Sequence, residues 1–430
     1  VTDIKHLAGI ISPRDDDQNP YRKLATFAIG NPVLLHTLVS ISTEWMLRHG
    51  HSNAKLASDR QSKALMSIKG LISSMEQEQA EATRDSEGRG RLLSSTSQES
   101  LRASREAALS AVLMQIAHAM FSGSSGGQAH VQCAYYLLDQ LGYTTQLHPS
   151  FLPRMTAQRF AIADVAASLL HATRPKAPLT FPLYQVNEDL DKTEPSFCRM
   201  TGCPQPVLSV LAHIAHLSCD LRETRHEACA ETETEATLRI ADRLDFTLRS
   251  WGFQRHSGIL CQHPGRPLSE LAYDEARDKP LFGTTGRYHL ALLKECFYWL
   301  AHLLLQRRIY RDPRSSRRVQ QTVKRALALM KAISPDEKLT TALPLPFYLV
   351  ARDCADEDDR TWIRAQHQRM RDLYRTGARD NWMRITEQIW GIEDEKQKYR
   401  AGLCGSKRDQ GVAEDSQNET LLEHHFSLLF

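Results

Sequence analysis

The chain has 430 residues, 41% of them hydrophobic and 24% charged, which is enough apolar material for a sizeable core and unlike a disordered composition. Aromatic residues at 7% and only 21 glycines disfavour an all-β architecture. Lys and Arg number 54 against 51 Asp and Glu, a formal charge of +3, so the chain lacks the overall basic excess of a nucleic-acid-binding protein.

Residues 1–20 read as an N-terminal extension. They open Val1-Thr2-Asp3-Ile4-Lys5, with neither a basic n-region nor an apolar h-region. No apolar run approaches the roughly 20 residues that a bilayer span needs, so no membrane contact is expected. From there the apolar period is helical nearly everywhere. Leu34, Leu38, Ile41 and Trp45 form one stripe and Leu35, Val39 and Met46 a second, a face wide enough to want partners on two sides. Asn31 and Pro32 suit the cap and first turn of that helix. Ala64, Leu65, Ile68, Leu71, Ile72 and Met75 mark the next helix, and Leu109, Val112, Ile116 and Met120 another. Between them, residues 83–106 are rich in Ser, Arg and Glu and are expected to be a disordered loop. After the turn Ser122–Gln128 come Val131, Ala134, Tyr135, Leu138 and Leu141, then Phe160, Ala163, Ala167 and Leu170.

Residues 174–206 hold six prolines and no helical period, which predicts a long irregular crossover. Helical stripes resume with Val207, Leu211, Ile214 and Leu221, and with Ala241, Leu244, Leu248 and Trp251. Leu293, Phe297, Leu300 and Leu304 mark a strongly apolar, central helix. Val319, Val323, Leu327 and Met330 follow, then Trp362, Gln366 and Met370, and Trp382, Ile385 and Ile389. The pattern predicts an all-α array of antiparallel helix pairs, about a dozen helices, with no significant sheet. The helical domain is expected over 21–393, and 394–430 as a polar tail.

Nine cysteines, an odd number with no Cys-x-x-Cys among them, argue for buried reduced thiols in a reducing compartment rather than a disulfide framework. His213 and His216 could share a helix face, with His226, Cys229 and Glu231 nearby as metal ligands. Satisfied or solvent-facing histidines are the simpler reading, since zinc needs three or four converging ligands. The acidic run Asp353, Asp356, Glu357, Asp358 and Asp359 reads as a magnesium patch or, more simply, as a solvated turn opening a helix. No phosphate-binding glycine loop and no G-x-S-x-G elbow occurs, so no catalytic residue is assigned. Arg307, Arg308, Arg311, Arg314, Arg317 and Arg318 head a basic stretch that continues to Arg325. It suits nuclear import or an acidic partner ahead of DNA-backbone contact, or else a solvated turn whose arginines pair with the acidic loops. Glu414–Phe430 alternates acids with Leu421, Leu422, Phe426 and Phe430. These are anchors for a coactivator groove or for docking on the chain's own core.

Five segments carry a family resemblance. The first is Asn19–Trp45, with Pro32, Leu34, Leu35, His36, Leu38, Ser40 and Ser42. The second is Phe121–Leu138, with His130 and Ala134, although Val131 and Cys133 depart from the pattern. The third is the helix from Phe160 through Asp164 to Leu169. The fourth is Thr201-Gly202-Cys203-Pro204. The fifth is Ala351–Trp390 with Asp359 and Arg360. In this order they resemble the fungal-specific transcription factor domain, second class, the regulatory region of zinc-cluster transcription factors. The resemblance implies an all-helical fold, a nuclear location and regulatory work, through a hydrophobic small-molecule effector and a coactivator or a second copy. The family's zinc-binding DNA module needs paired Cys-x-x-Cys steps, which this sequence lacks, so no cofactor is expected here and DNA would be met only through a module outside the chain. Trp45, Phe121, Tyr135, Phe297 and Trp299 are the candidate effector-pocket residues. The alternatives are an enzyme repurposed from this fold, acting on a secondary metabolite with His130 near Asp164 or Glu295, and a dimerising scaffold.

Overall fold

The computed structural model describes residues 19–89, 95–124, 126–187, 189–193, 196–223, 230–262, 285–333 and 342–403. Fifteen helices make up this part, with no strand among the described residues. The chain divides into two compact units. One comprises Val1–Val165, Pro175–Ser209 and Asp336–Ala342, and the other Ala166–Arg174, Val210–Pro335 and Leu343–Phe430.

The first unit opens with α1 (Pro20–Ile29), α2 (Pro32–Arg48), α3 (Ala54–Arg89), α4 (Ser95–Ser122) and α5 (Gly127–Gln140). Each packs on the next, and α2 also packs on α4. Asn19 Oδ1 accepts from Tyr21 N–H at 2.9 Å and Asn31 Oδ1 from Leu34 N–H at 3.1 Å, each satisfying an N–H that the helix itself leaves over. Of the two stripes on α2, Leu34, Leu38 and Ile41 of the first are buried, whereas Trp45 and the second stripe, Leu35, Val39 and Met46, are half-buried. Small polar residues fill the seam between helices. Ser40 Oγ donates to Gln61 Oε1 at 2.7 Å and Gln61 Nε2 to Gln115 Oε1 at 2.9 Å, a polar chain running from α2 through α3 to α4. Residues 83–106, expected as a disordered loop, are instead helical as far as Arg89 and again from Ser95. Arg, Glu and Gln are nearly as good helix formers as Leu, so a polar stretch can extend a helix with no apolar stripe to reveal it. Of the two stripes on α3 and α4, Ala64, Ile68, Met75, Leu109 and Val112 are buried, whereas Leu65 and Met120 are exposed.

Helix α6 (Phe151–His171) leads into the crossover, which holds a 3-10 turn at Pro182–Tyr184 and two short helices, α7 (Asp189–Lys192) and α8 (Phe197–Thr201). Side chains satisfy its irregular backbone. Asp164 accepts from Lys176 N–H at 2.9 Å, Ala177 N–H at 3.0 Å and Tyr184 OH at 2.8 Å. Asp191 accepts from Cys198 N–H at 2.8 Å and Gln205 N–H at 3.0 Å. Gln205 Nε2 donates to Leu183 O at 2.9 Å and Gln185 O at 2.6 Å, and its Oε1 accepts from Asn187 N–H at 2.7 Å. A buried loop is tolerable only when its peptide groups find such partners. Gly202 ends α8 at φ +77°, its N–H donating to Cys198 O at 2.8 Å. Gly202→Ala forces a Cβ into the left-handed region and is expected to cost about 1–2 kcal/mol, read as a lower urea midpoint with an unchanged slope.

Helix α9 (Gln205–Glu223) begins in the first unit and continues in the second. The second unit holds α10 (Ala230–Gln262), α11 (Thr285–Leu304), α12 (Arg317–Ala332), α13 (Pro344–Arg352), α14 (Glu357–Tyr374) and α15 (Gly377–Leu403). As its stripe predicts, α11 is central there, packing on α10, α12 and α13. It buries Leu293, Phe297, Leu300 and Leu304. A single π-helical stretch, Leu305–Ile309, ends it. Helix α13 is buried from Pro344 to Ala351, and α15 packs on it and on α14. The expected tail boundary at 394 falls inside α15, whose backbone stays helical to Leu403. Cys133, Cys198, Cys203, Cys219, Cys296 and Cys354, the cysteines whose side chains are described, are free thiols, and all but Cys133 are buried. No described helix is long and apolar enough to cross a membrane.

Candidate functional site

The second unit gathers a polar cluster inside an aromatic wall. On α11, Glu295, Tyr298, Trp299 and His302 fall at i, i+3, i+4 and i+7, so the helical period puts them on one face. On α10, Asp242, Asp245 and Arg249 fall at i, i+3 and i+7, again on one face. Arg249 Nε lies 2.7 Å from Asp245 Oδ2, and His302 Nδ1 lies 3.5 Å from Asp245 Oδ1. His302 and then Arg249 hold the Asp245 carboxyl below the usual carboxylate range. The Tyr298 ring centroid lies 4.6 Å from that of His302, edge to face, and Trp299 lies 5.2 Å from Tyr298 and 5.5 Å from His302. Trp251 closes the row at 5.8 Å from Tyr298. Burial, then the neighbouring Glu295 carboxylate, pushes the Tyr298 phenol up to about 12. His302 is 7% exposed, and its Nε2 is buried without a hydrogen-bond partner. A buried imidazole nitrogen in that state is costly unless something else supplies a donor or acceptor.

Of the five expected pocket residues, only Trp299 joins this cluster. The Arg325 guanidinium lies 4.9 Å above its ring. Phe297 is a fully buried core side chain on the same helix. Trp45, Phe121 and Tyr135 belong to the first unit. There Trp45 stacks on His49 at 4.1 Å, Tyr135 on Phe160 at 6.1 Å, and Phe121 is buried. Asp245 and His302 were not singled out from sequence. The available signal was Glu295 and His302, seven apart and so on one face of a helix that also carries Leu293, Phe297, Leu300 and Leu304.

The arginine stretch divides by position. Arg307 Nε lies 2.7 Å from Asp353 Oδ1, and its Nη1 donates to Asp312 O at 2.6 Å. Arg308 Nη2 donates to Leu169 O at 2.6 Å. Arg314 is buried and donates through Nη2 to Cys354 O. Arg311, at φ +58°, Arg317 and Arg318 are exposed. The acidic run meets the cations of this region. Lys331 Nζ lies 2.7 Å from Asp359 and Lys324 Nζ 3.8 Å from Asp356. Asp356 also caps α14, accepting from the N–H groups of Asp358 and Asp359 at 3.1 Å each. The run therefore opens a helix and neutralises neighbours.

The enzyme alternative gains nothing from Asp164, whose oxygens are taken by two peptide N–H groups and the Tyr184 phenol. His130 sits where a side chain on Gly126 would meet its Nε2, at 3.5 Å, and burial holds it below the usual imidazole range. His213 and His216 lie on α9, and no group of three or more metal-ligating side chains converges among the described residues. His226 and Cys229 lie outside the described residues, as does the side chain of Glu231. The tail anchors Leu421, Leu422, Phe426 and Phe430 also lie outside them.

The motif residues of the first unit turn out to be braces. Asp164 and Gln205 pin the crossover, and Thr201-Gly202-Cys203-Pro204 forms the turn between α8 and α9. In the second unit Trp390 Nε1 donates to Ala351 O at 2.9 Å, joining the two ends of the last motif. No curated protein and no solved structure matches the chain. A family model described as fungal specific transcription factor domain matches residues 4–409, nearly the whole chain. The chain therefore belongs to the fungal specific transcription factor domain family, and its role is transcription-regulatory.

Proposed function

We propose that the chain is the effector-sensing and coactivator-contacting part of a fungal zinc-cluster regulator that works in the nucleus, with DNA met through a zinc-bearing module outside this sequence. The observation that supports effector sensing is the buried, unpartnered Nε2 of His302 beside Tyr298 and Trp299, with Trp251 next to Tyr298. Aromatic faces favour a flat hydrophobic molecule, and the imidazole edge adds one hydrogen bond to orient it. Such a molecule regulates only if it binds one arrangement of α10 and α11 better than another.

Thermal-shift screening of the full chain against sterols and flat aromatic hydrophobes tests this. A ligand present at about 100 times its Kd stabilises by about 2.7 kcal/mol, a rise of a few degrees for a body of this size. Trp299→Ala and His302→Gln are expected to abolish that rise. A flat response across a broad panel, or a rise that both variants retain, refutes the site.

A further inference from the structure

Helix α12 carries Arg317, Arg318, Lys324, Arg325 and Lys331 and no carboxylate. All five cations are exposed, while Val319, Val323, Ala326, Leu327 and Met330 bury the opposite face. Acids of neighbouring elements meet one edge of this cationic face, Asp356 and Asp359 reaching Lys324 and Lys331. Asp312 approaches Arg318 at 3.5 Å. Along the other edge the guanidinium groups lie on rings, Arg318 at 5.1 Å over Tyr310 and Arg325 at 4.9 Å over Trp299. Those two arginines are seven residues apart, so they repeat on one face at about 10 Å. A guanidinium resting on a ring is held flat, with N–H edges left for planar carboxylates. Lys331 also lies over a ring, Trp362, at 5.3 Å, but an ammonium lacks the planar fork that pairs a carboxylate side by side.

We propose that this strip is the docking site of the chain's own C-terminal segment, residues 409–430. That segment carries Asp409, Glu414, Asp415, Glu419 and Glu423 and no Lys or Arg, so its charge complements a helix face that has no acid of its own. Reach permits the contact. The residues following Leu403 span on the order of 90 Å when extended, against about 50 Å for the longest helix of the unit, Ala230–Gln262. Tethering supplies a high effective concentration, so individually weak surface pairs suffice. The strip shares Trp299 with the effector reading, yet the two fail separately: tail links need no ligand at His302, and a ligand-induced thermal shift needs no tail link.

Zero-length carbodiimide crosslinking of the full chain, mixed in equal parts light and nitrogen-15 heavy, tests it. Lys324 and Lys331 are expected to link to Glu414, Asp415, Glu419 or Glu423, in light–light and heavy–heavy pairs only. The yield is expected to fall roughly fivefold between about 0.05 M and about 0.5 M salt, as screening shortens the reach of surface charges. Arg317→Glu with Arg318→Glu and Arg325→Glu is expected to lower it equally, with helicity checked by circular dichroism. Amide exchange over 409–430 gives a second readout. It is slow in the wild type and quickens both in that variant and in Glu414→Gln with Asp415→Asn, Glu419→Gln and Glu423→Gln, which leaves α12 untouched. Absence of tail links to α12 overturns the proposal. So do mixed-isotope links, which make the occupant a second copy, and equal linking to Lys55, Lys63 and Lys69 of the first unit.

Discussion

Trp390→Ala is expected to destabilise the second unit by about 4–5 kcal/mol, the largest effect of any single substitution considered. Trp390 is the largest fully buried side chain, 1% exposed. Its removal opens a cavity that helices α13, α14 and α15 cannot fill without shifting. It also strips Ala351 O of the donor held at 2.9 Å, leaving a buried carbonyl unpaired. Two guanidinium groups lose their ring as well, Arg360 at 5.1 Å and Arg364 at 5.0 Å. Arg360 is buried and depends on fixed partners, donating through Nε to Cys354 O at 3.1 Å. Trp390→Phe separates the terms, since it keeps a ring under the arginines and drops the indole donor. Its expected cost is about 1–2 kcal/mol. Urea unfolding followed by circular dichroism measures both. A Trp390→Ala loss below about 1 kcal/mol is incompatible with this packing.

The second large effect is Asp164→Ala, with an expected loss of about 3–5 kcal/mol in the first unit. Asp164 is 1% exposed, so burial pushes its carboxyl up, while the Ala177 and Lys176 amides and the Tyr184 phenol pull it back. The alanine variant removes the carboxylate that the Ala177 N–H and the Tyr184 phenol meet in a buried place and the Lys176 N–H in a half-buried one, at a cost of roughly 1–3 kcal/mol for each buried donor. Tyr184→Phe removes one donor and keeps the carboxylate on its two amides, so about 1–1.5 kcal/mol is expected. The ordering matters more than the sizes. If Tyr184→Phe proves as costly as Asp164→Ala, the crossover is held by the Tyr184 ring, which packs edge-on against Phe181 at 5.2 Å, and not by the carboxylate. Amide exchange at Lys176 and Ala177 gives an independent check, since both should lose protection in Asp164→Ala and keep it in Tyr184→Phe.

These effects explain why motif residues were legible as a pattern and not as roles. Asp164, Gly202 and Trp390 stood out in the sequence because they fall in a fixed order. What each does depends on a partner far along the chain. Trp390 meets a carbonyl 39 residues away, and Asp164 meets a phenol 20 residues away. The same distinction separates the arginines. Arg307, Arg308 and Arg314 are tied to internal partners, whereas Arg317, Arg318 and Arg325 stay on the surface. Composition treats all six alike.

The helices and much of their inward faces follow from residues that are neighbours along the chain. A 3.6-residue period and a cap such as Asn31 are local, and local steric and hydrogen-bonding preferences suffice to set them. The period fails as a guide over 83–106, where helix propensity works without an apolar stripe. Packing alone brings Asp245 to His302 across two helices, and Asp353, Asp356 and Asp359 to the cations at 307–331. The physical reason is that charge pairing and burial depend on distance in space. Residues 57 apart in the chain become neighbours at 3.5 Å only after α10 and α11 have packed their apolar faces.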